Sequence, residues 1–109
     1  MKLQELINKI ALKVLTVVED KDITGVFISD MLSDVMSSAQ SGNLWVTVQS
    51  HKNIISAANL IDISAIIVTH NKDVPKDTIE LANRYKVVIL SSPLTTFELA
   101  SKLLESGIK

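Results

Sequence analysis

Apolar residues recur along this chain first at helical spacing, then at strand spacing, and the alternation continues to the end. Leu3, Leu6, Ile7, Ile10, Val14 and Leu15 lie three to four apart, with Lys2, Glu5, Asn8, Lys9 and Lys13 between them. That spacing predicts an amphipathic first helix. Glu19-Asp20-Lys21-Asp22 reads as a solvated turn, so residues 1-20 form an N-terminal helix and turn. Ile23 to Ser29 is a β-branched and aromatic run, hence a strand. After Asp30, the residues Met31, Leu32, Val35, Met36 and Ala39 return to helical spacing, and Gly42 reads as a left-handed cap. Leu44 to Val48 predicts a second strand and Asn53 to Leu60 a helix. Ser64 to Thr69 is apolar almost throughout, as suits a strand covered on both faces. Pro75 fits the first turn of a further helix, with Ile79, Leu81, Ala82 and Tyr85 toward the core. Val87 to Leu90 is a fourth strand. Thr95 and Glu98 then read as a capping box opening a last helix, which carries Phe97, Leu99, Leu103 and Leu104 and stops at Gly107.

Strand and helix thus alternate about every twenty residues. Each connection is long enough for a crossover between parallel strands. The expected architecture is a single α/β domain over residues 1-109. It has three layers: a mostly parallel four-stranded sheet with helices on both faces.

Composition narrows the function more than the fold. The chain has 109 residues, of which 13 Leu, 13 Ile and 11 Val supply one core's worth of aliphatic side chains. The net charge of -1 argues against a protein built to hold nucleic acid or an anionic membrane. Cysteine is absent, so disulfides, thiolate catalysis and thiolate metal sites are excluded. No apolar run approaches the ~20 residues of a membrane span, and the first residues lack a signal core. A cytoplasmic protein is expected.

The same census removes most catalytic machines. Three glycines, Gly25, Gly42 and Gly107, cannot build a glycine-rich phosphate loop. His51 and His70 stand in separate loops without metal-ligand spacing, so neither a metal nor a cofactor is expected. Asp30 follows a strand and opens a helix. It reads first as a helix cap and second as a phospho-acceptor or metal carboxylate, as in response-regulator receivers; the single carboxylate makes the second weak. Thr47, Ser50, His51 and Asn53 crowd the loop after the second strand, with Gln49 among them. A helix N-terminus at the carboxyl edge of a sheet suits an anion, and ordinary turn chemistry competes with that reading. Ser92 and Thr95 form a second polar cluster at the same edge, where the capping box already accounts for much. Trp45 reads as core packing, and Met31 and Met36 as packing or an oligomer contact.

Four segments together carry a family resemblance. Gly25 to Met36 is similar to "G-x-x-x-x-D-L-L-S-x-V-M", and Gly42 to Ile54 to a "W-x-T-x-x-x-x-x-N-I" segment. Asn53 to Thr69 resembles a small-residue helix followed by an apolar strand, and Leu90 to Ala100 a closing "S-x-x-x-T-x-x-L-A" element. This order, over Ile23 to Leu104, resembles the DRTGG domain family. The naming pentapeptide Asp-Arg-Thr-Gly-Gly is absent, and the loop in its place reads His70-Asn71-Lys72-Asp73. The resemblance implies a fold like the N-terminal domain of HPr kinase/phosphorylase, which is not that enzyme's kinase domain. It also implies a regulatory or ligand-sensing role, often in dimers, alongside phosphate acetyltransferases and inorganic pyrophosphatases.

Two functions follow as expectations. The first is a non-catalytic homodimeric module that binds a nucleotide or a phosphate-bearing metabolite through Asp30, Thr47, Ser50, His51, Asn53, Ser92 and Thr95. With ten lysines and one arginine, Arg84, a bidentate guanidinium clamp is scarcely available to it. The second is a protein-interaction subunit of a larger redox or phosphotransfer enzyme system with no small ligand. Phosphoryl transfer through His51 or Asp30 is the weaker, enzymatic reading. A mean hydropathy of +0.31 in so short a chain favours a dimer. Met31, Val35 and Met36, or Ile54, Ile55 and Ala58, are its expected faces.

Overall fold

A computed structural model describes residues 1–108. The chain forms α1 (Leu3–Lys9), β1 (Lys13–Val14), β2 (Gly25–Ile28), α2 (Leu32–Ser38) and β3 (Asn43–Thr47). It continues through α3 (Asn53–Ile61), β4 (Ala65–Val68), α4 (Lys76–Tyr85), β5 (Ile89–Ser91) and α5 (Thr96–Glu105). The strands make one sheet in the order β1-β5-β4-β3-β2. The pairs β2–β3, β3–β4 and β4–β5 are parallel, with Trp45 opposite Phe27 and Ile66, while β1 runs antiparallel to β5.

Strand alternation sorts the core into two layers. Trp45, Ile66, Val68, Val87 and Ile89 point to one face, where Val35 of α2, Ile54, Ile55, Ala57 and Ala58 of α3 and Ala82 of α4 cover them. Leu44, Val46, Ala65, Ile67, Val88 and Leu90 point to the other, against Leu3 and Leu6 of α1 and Leu99 and Leu103 of α5. A side-chain period of two does this sorting, and full burial of β3 and β4 explains their continuous apolar runs.

The three-layer, mostly parallel α/β architecture matches the expectation, with five strands in place of four. The added strand lies within the expected first helix. That helix ends at Lys9, and Lys13–Val14 pairs with Ser91 and Leu90 instead. Beyond β1 the pairing continues: the Leu15 N–H donates to the Ile89 carbonyl (3.0 Å), and the buried Thr16 hydroxyl oxygen accepts the Ile89 N–H (3.0 Å). The turn at Glu19–Asp22 is not simply solvated either. Asp20 accepts the Gln4 N–H (3.0 Å) and so caps α1 from a distant segment, and the Leu3 N–H donates to the Lys21 carbonyl (2.8 Å).

Two further expectations change. Gly42 has φ +84°, but α2 ends at Ser38, so Gly42 serves the turn into β3 rather than a helix cap. A Cβ there would lie 2.6 Å from Thr24 Cγ2, which excludes larger residues. Of the expected dimer faces, Val35, Ile54, Ile55 and Ala58 are spent in the core, and only Met31 and Met36 are exposed. On α4, Ala82 is buried as expected, while Tyr85 is half exposed and Thr78 takes a buried place, donating its hydroxyl to the Ser50 carbonyl (3.0 Å).

Candidate functional site

The loops leaving the carboxyl ends of the four parallel strands gather at one edge of the sheet. After β2, β3 and β4 the chain turns to the α2–α4 face, and after β5 it turns to the α5 face. Adjacent strands whose connections part to opposite faces open a crevice, and ligands of open α/β sheets favour such points. Here that place is between β4 and β5.

The structure divides the seven expected ligand residues between two ends of this edge. Asp30, Thr47, Ser50, His51 and Asn53 stand at the β2–β3 end. Asp30 does not cap α2: Met31 holds the cap position with no side-chain bond, and Ser29 Oγ accepts the Met31 N–H (3.1 Å). Instead Asp30 Oδ1 accepts the Thr47 hydroxyl (2.9 Å) and the Val48 N–H (2.9 Å), and Gln49 Nε2 donates to the Asp30 carbonyl (3.0 Å). The carboxylate thus ties the β2–α2 loop to the end of β3. Trp45 Nε1, donating to the Ser29 carbonyl at 2.8 Å, fixes the same loop from inside. His51 Nδ1 accepts the Asn53 N–H (3.2 Å), so the imidazole caps the first turn of α3. The next amides of that turn, of Ile54 and Ile55, bond to the His51 and Lys52 carbonyls.

Ser92 and Thr95 stand at the β4–β5 end. Thr95 and Glu98 form the expected capping box: Thr95 Oγ1 accepts the Glu98 N–H (3.2 Å) and Glu98 Oε1 accepts the Thr95 N–H (3.0 Å). That backbone donor, then the Thr95 side chain, holds the Glu98 carboxyl below the usual glutamate range, with the field of His70 adding to the effect and desolvation opposing it. Buried Ser92 accepts the Leu94 N–H through Oγ (3.1 Å).

Four residues outside the expected set, Thr69, His70, Asn71 and Thr96, close the β4–β5 crevice. His70 Nε2 accepts the Thr96 N–H (3.2 Å), and Thr69 Oγ1 lies 3.1 Å from Thr96 Oγ1. The His70 and Asn71 amides donate to the Leu94 and Ser92 carbonyls (2.8 and 3.0 Å). His70 and Asn71 both hold left-handed backbone, φ +62° and +53°, to make those bonds. In sequence His70 stood alone in its loop. The signal that unites it with Thr96 is the change of face after β5, which requires knowing which layer each amphipathic helix covers.

Among the described residues no group of three or more His, Asp or Glu gathers to hold a metal, and no buried side-chain nitrogen or oxygen lacks a partner. No helix is long and apolar enough to cross a membrane. The polar residues of this edge therefore act on one another as caps and loop ties. The Thr96 hydroxyl also lies 3.3 Å from His70 Nε2, the nitrogen that accepts the Thr96 N–H.

A model of the DRTGG domain family matches residues 5–106. The chain belongs to the DRTGG domain family. Its fold is similar, with a TM-score of 0.73 and 16% identity, to the CBS and DRTGG domains of the regulatory region of Clostridium perfringens pyrophosphatase, a structure determined with the activator diadenosine tetraphosphate. The likeness covers 95% of this chain and 46% of that one, so this DRTGG domain spans about half of that regulatory region. No curated protein matches the chain. The naming pentapeptide is absent, and the His70–Asn71 loop closes the β4–β5 crevice through backbone bonds.

Proposed function

We propose that this DRTGG domain is a non-catalytic regulatory module. It senses a small anionic metabolite, a nucleotide or another phosphate-bearing compound, and it works as a homodimer in the cytoplasm. The observation that carries the reading is the state of the carboxyl edge. Asp30, Thr47, His51, Ser92 and Thr95, five of the seven residues expected to act there, have their side chains engaged in caps or loop ties, which suits a rigid scaffold. The likeness to a regulatory region crystallised with a nucleotide activator supports the same reading. A thermal-shift panel of nucleotides and phosphate metabolites at millimolar concentration tests it. At least one compound should raise the melting temperature, and a flat panel removes ligand sensing.

A specific observation favours a second reading, that of a protein-interaction subunit of a larger redox or phosphotransfer enzyme. Phe97 and Leu104 lie seven residues apart on α5 and are 80% and 68% exposed. A stripe of that kind suits another protein surface. Light scattering separates the readings. A homodimer has twice the 11.9 kDa chain mass, and Phe97→Glu should reduce it to one chain if α5 forms the contact. A wild-type mass of one chain, unchanged on dilution, removes the homodimer.

A further inference from the structure

The α1–α5 face holds a groove that shares Ser92 with the carboxyl edge and is otherwise built from other residues. It lies where the segment after α1 passes the loop between β5 and α5, and it encloses about 310 Å³. Ile10, Leu12, Pro93, Leu94 and Leu99 supply an aliphatic lining, and Lys9, Lys102 and Ser92 complete it. We propose that this groove binds a small anion with an aliphatic body, its carboxylate or phosphate head held by Lys9, Lys102 and Ser92.

Size, lining and charge each narrow the occupant. About 310 Å³ sits at the lower end of small-molecule sites, too small for a dinucleotide. No aromatic side chain lines the groove to stack on a base, and two of its three polar side chains, Lys9 and Lys102, only donate, so the amino edge of a nucleobase finds few side-chain acceptors. An alkyl or branched acyl body, by contrast, removes apolar area from water on both sides. The three polar groups suit an anionic head. Lys102 makes no ion pair among the described residues. Lys9 pairs with Glu5 at 3.4 Å, with both side chains about half exposed, a contact that a ligand head replaces at little cost. Ser92 is 1% exposed, and its oxygen accepts the Leu94 N–H while its own proton is given to no acceptor among the described residues. That leaves a buried donor at the groove, and a bond from it to a charged head is among the stronger kinds. Glu105 flanks an adjoining shallow groove with the same two lysines, which sets a limit on the anion's total charge and favours a single head group.

The inference rests on the ligand-sensing reading and gives it a site and a ligand class. Isothermal titration of the full chain with hexanoate, hexyl phosphate, 1-hexanol and adenosine monophosphate tests it. Hexanoate and hexyl phosphate should bind, and 1-hexanol should bind more weakly than either. The preferred head tells a carboxylate source from a phosphate one. Lys9→Gln and Lys102→Gln should each weaken the two anions about two- to fivefold and leave 1-hexanol unchanged. Ser92→Ala should weaken the anions and also lower the melting temperature, because the Leu94 N–H loses its acceptor. Equal affinity for 1-hexanol and the anions, or anion binding indifferent to both lysine variants, overturns the proposal. If adenosine monophosphate binds wild type and the lysine variants alike while hexanoate and hexyl phosphate do not bind, this site falls and ligand sensing stands. If none of the four binds at millimolar concentration and the wider metabolite panel is flat, both fall.

Discussion

The two faces of the sheet are covered by the same kind of helix to different effect. On one face α2, α3 and α4 are successive crossovers, and α2 packs on α3 and α3 on α4 in a continuous layer. On the other face only α1, seven residues long, and α5 stand over the same sheet, with little packing between them. A groove opens between α5 and the link after α1, and the crossover layer carries a separate one between α3 and α4, lined by Ile55, Leu60, Leu81 and Tyr85. The difference follows from topology. Each β-α-β unit delivers a helix to the crossover face, whereas the terminal face receives only what the chain ends supply. A scaffold therefore sits on one side of the sheet, and the adjustable elements on the other.

Substitutions test that contrast, and the largest effect belongs to the crossover layer. Trp45 is fully buried and its indole nitrogen holds the Ser29 carbonyl. Trp45→Ala should destabilise by about 3–5 kcal/mol in chemical denaturation. Leu103→Ala, under α5 on the open face, should cost less, near the bottom of the usual range of about 2–5 kcal/mol, because α5 can settle toward the groove. If Leu103→Ala costs more than Trp45→Ala, the open face is the more rigid one and the contrast fails.

The next effect concerns the edge where the terminal segment joins the sheet. Thr16→Val keeps the shape but leaves the Ile89 N–H without its acceptor, so a loss of about 1–3 kcal/mol is expected. Hydrogen exchange should show Ile89 losing protection ahead of Ile66. Equal protection of the two amides in the variant would mean that Thr16 does not hold β5.

Smaller again is the cap that anchors α5. Thr95→Ala should cost about 0.5–2 kcal/mol. The folded carboxyl of Glu98 titrates below its unfolded value, so the unfolded chain takes up the proton first as pH falls. The cap's contribution is whole above pH ~4.3, the ordinary glutamate value, and is lost as pH falls through the folded value. Glu98→Gln should remove that part of the acid dependence of the melting temperature. An unchanged acid profile would show that the carboxylate is idle.

The smallest change compares how the helices end. The C-terminus of α5 closes on Gly107 at φ +100°, with the Ile108 N–H returning to the Leu103 carbonyl. The end of α4 uses the same pattern with Lys86 at φ +59° and the Val87 N–H returning to Ala82. Lys86→Gly relieves the left-handed strain and should stabilise by about 0.5 kcal/mol, read as a raised melting temperature. A loss of stability would mean that the Lys86–Glu19 pair, 3.9 Å apart and exposed, outweighs the strain.

These contrasts also show what the sequence could carry. The parallel strands were legible because Leu44–Thr47 and Ser64–Thr69 are buried on both faces and so read as largely apolar runs. The capping box at Thr95 was legible because its partners are three residues apart. β1 was not, since Ile10 and Val14 fall four apart and imitate a helix; only pairing with Leu90 and Ser91 makes a strand of Lys13–Val14. The role of Asp30 was misread for a like reason. Its position before α2 suggests a cap, while its partners Thr47 and Val48 are seventeen and eighteen residues away and are brought to it by β2–β3 pairing. The groove was invisible in sequence because Lys9, Ser92 and Lys102 meet only once α1 and α5 share a face.

On this reading the open face receives the ligand while the crossover face stays a scaffold. Backbone amide spectra of the labelled chain, with and without hexyl phosphate, address it most directly. The shifts should gather at Ile10, Leu12, Leu94 and Lys102, with the amides of α2, α3 and α4 unmoved. Shifts confined to α2–α4 or to Gln49–Asn53, or no shift at millimolar ligand, would contradict it.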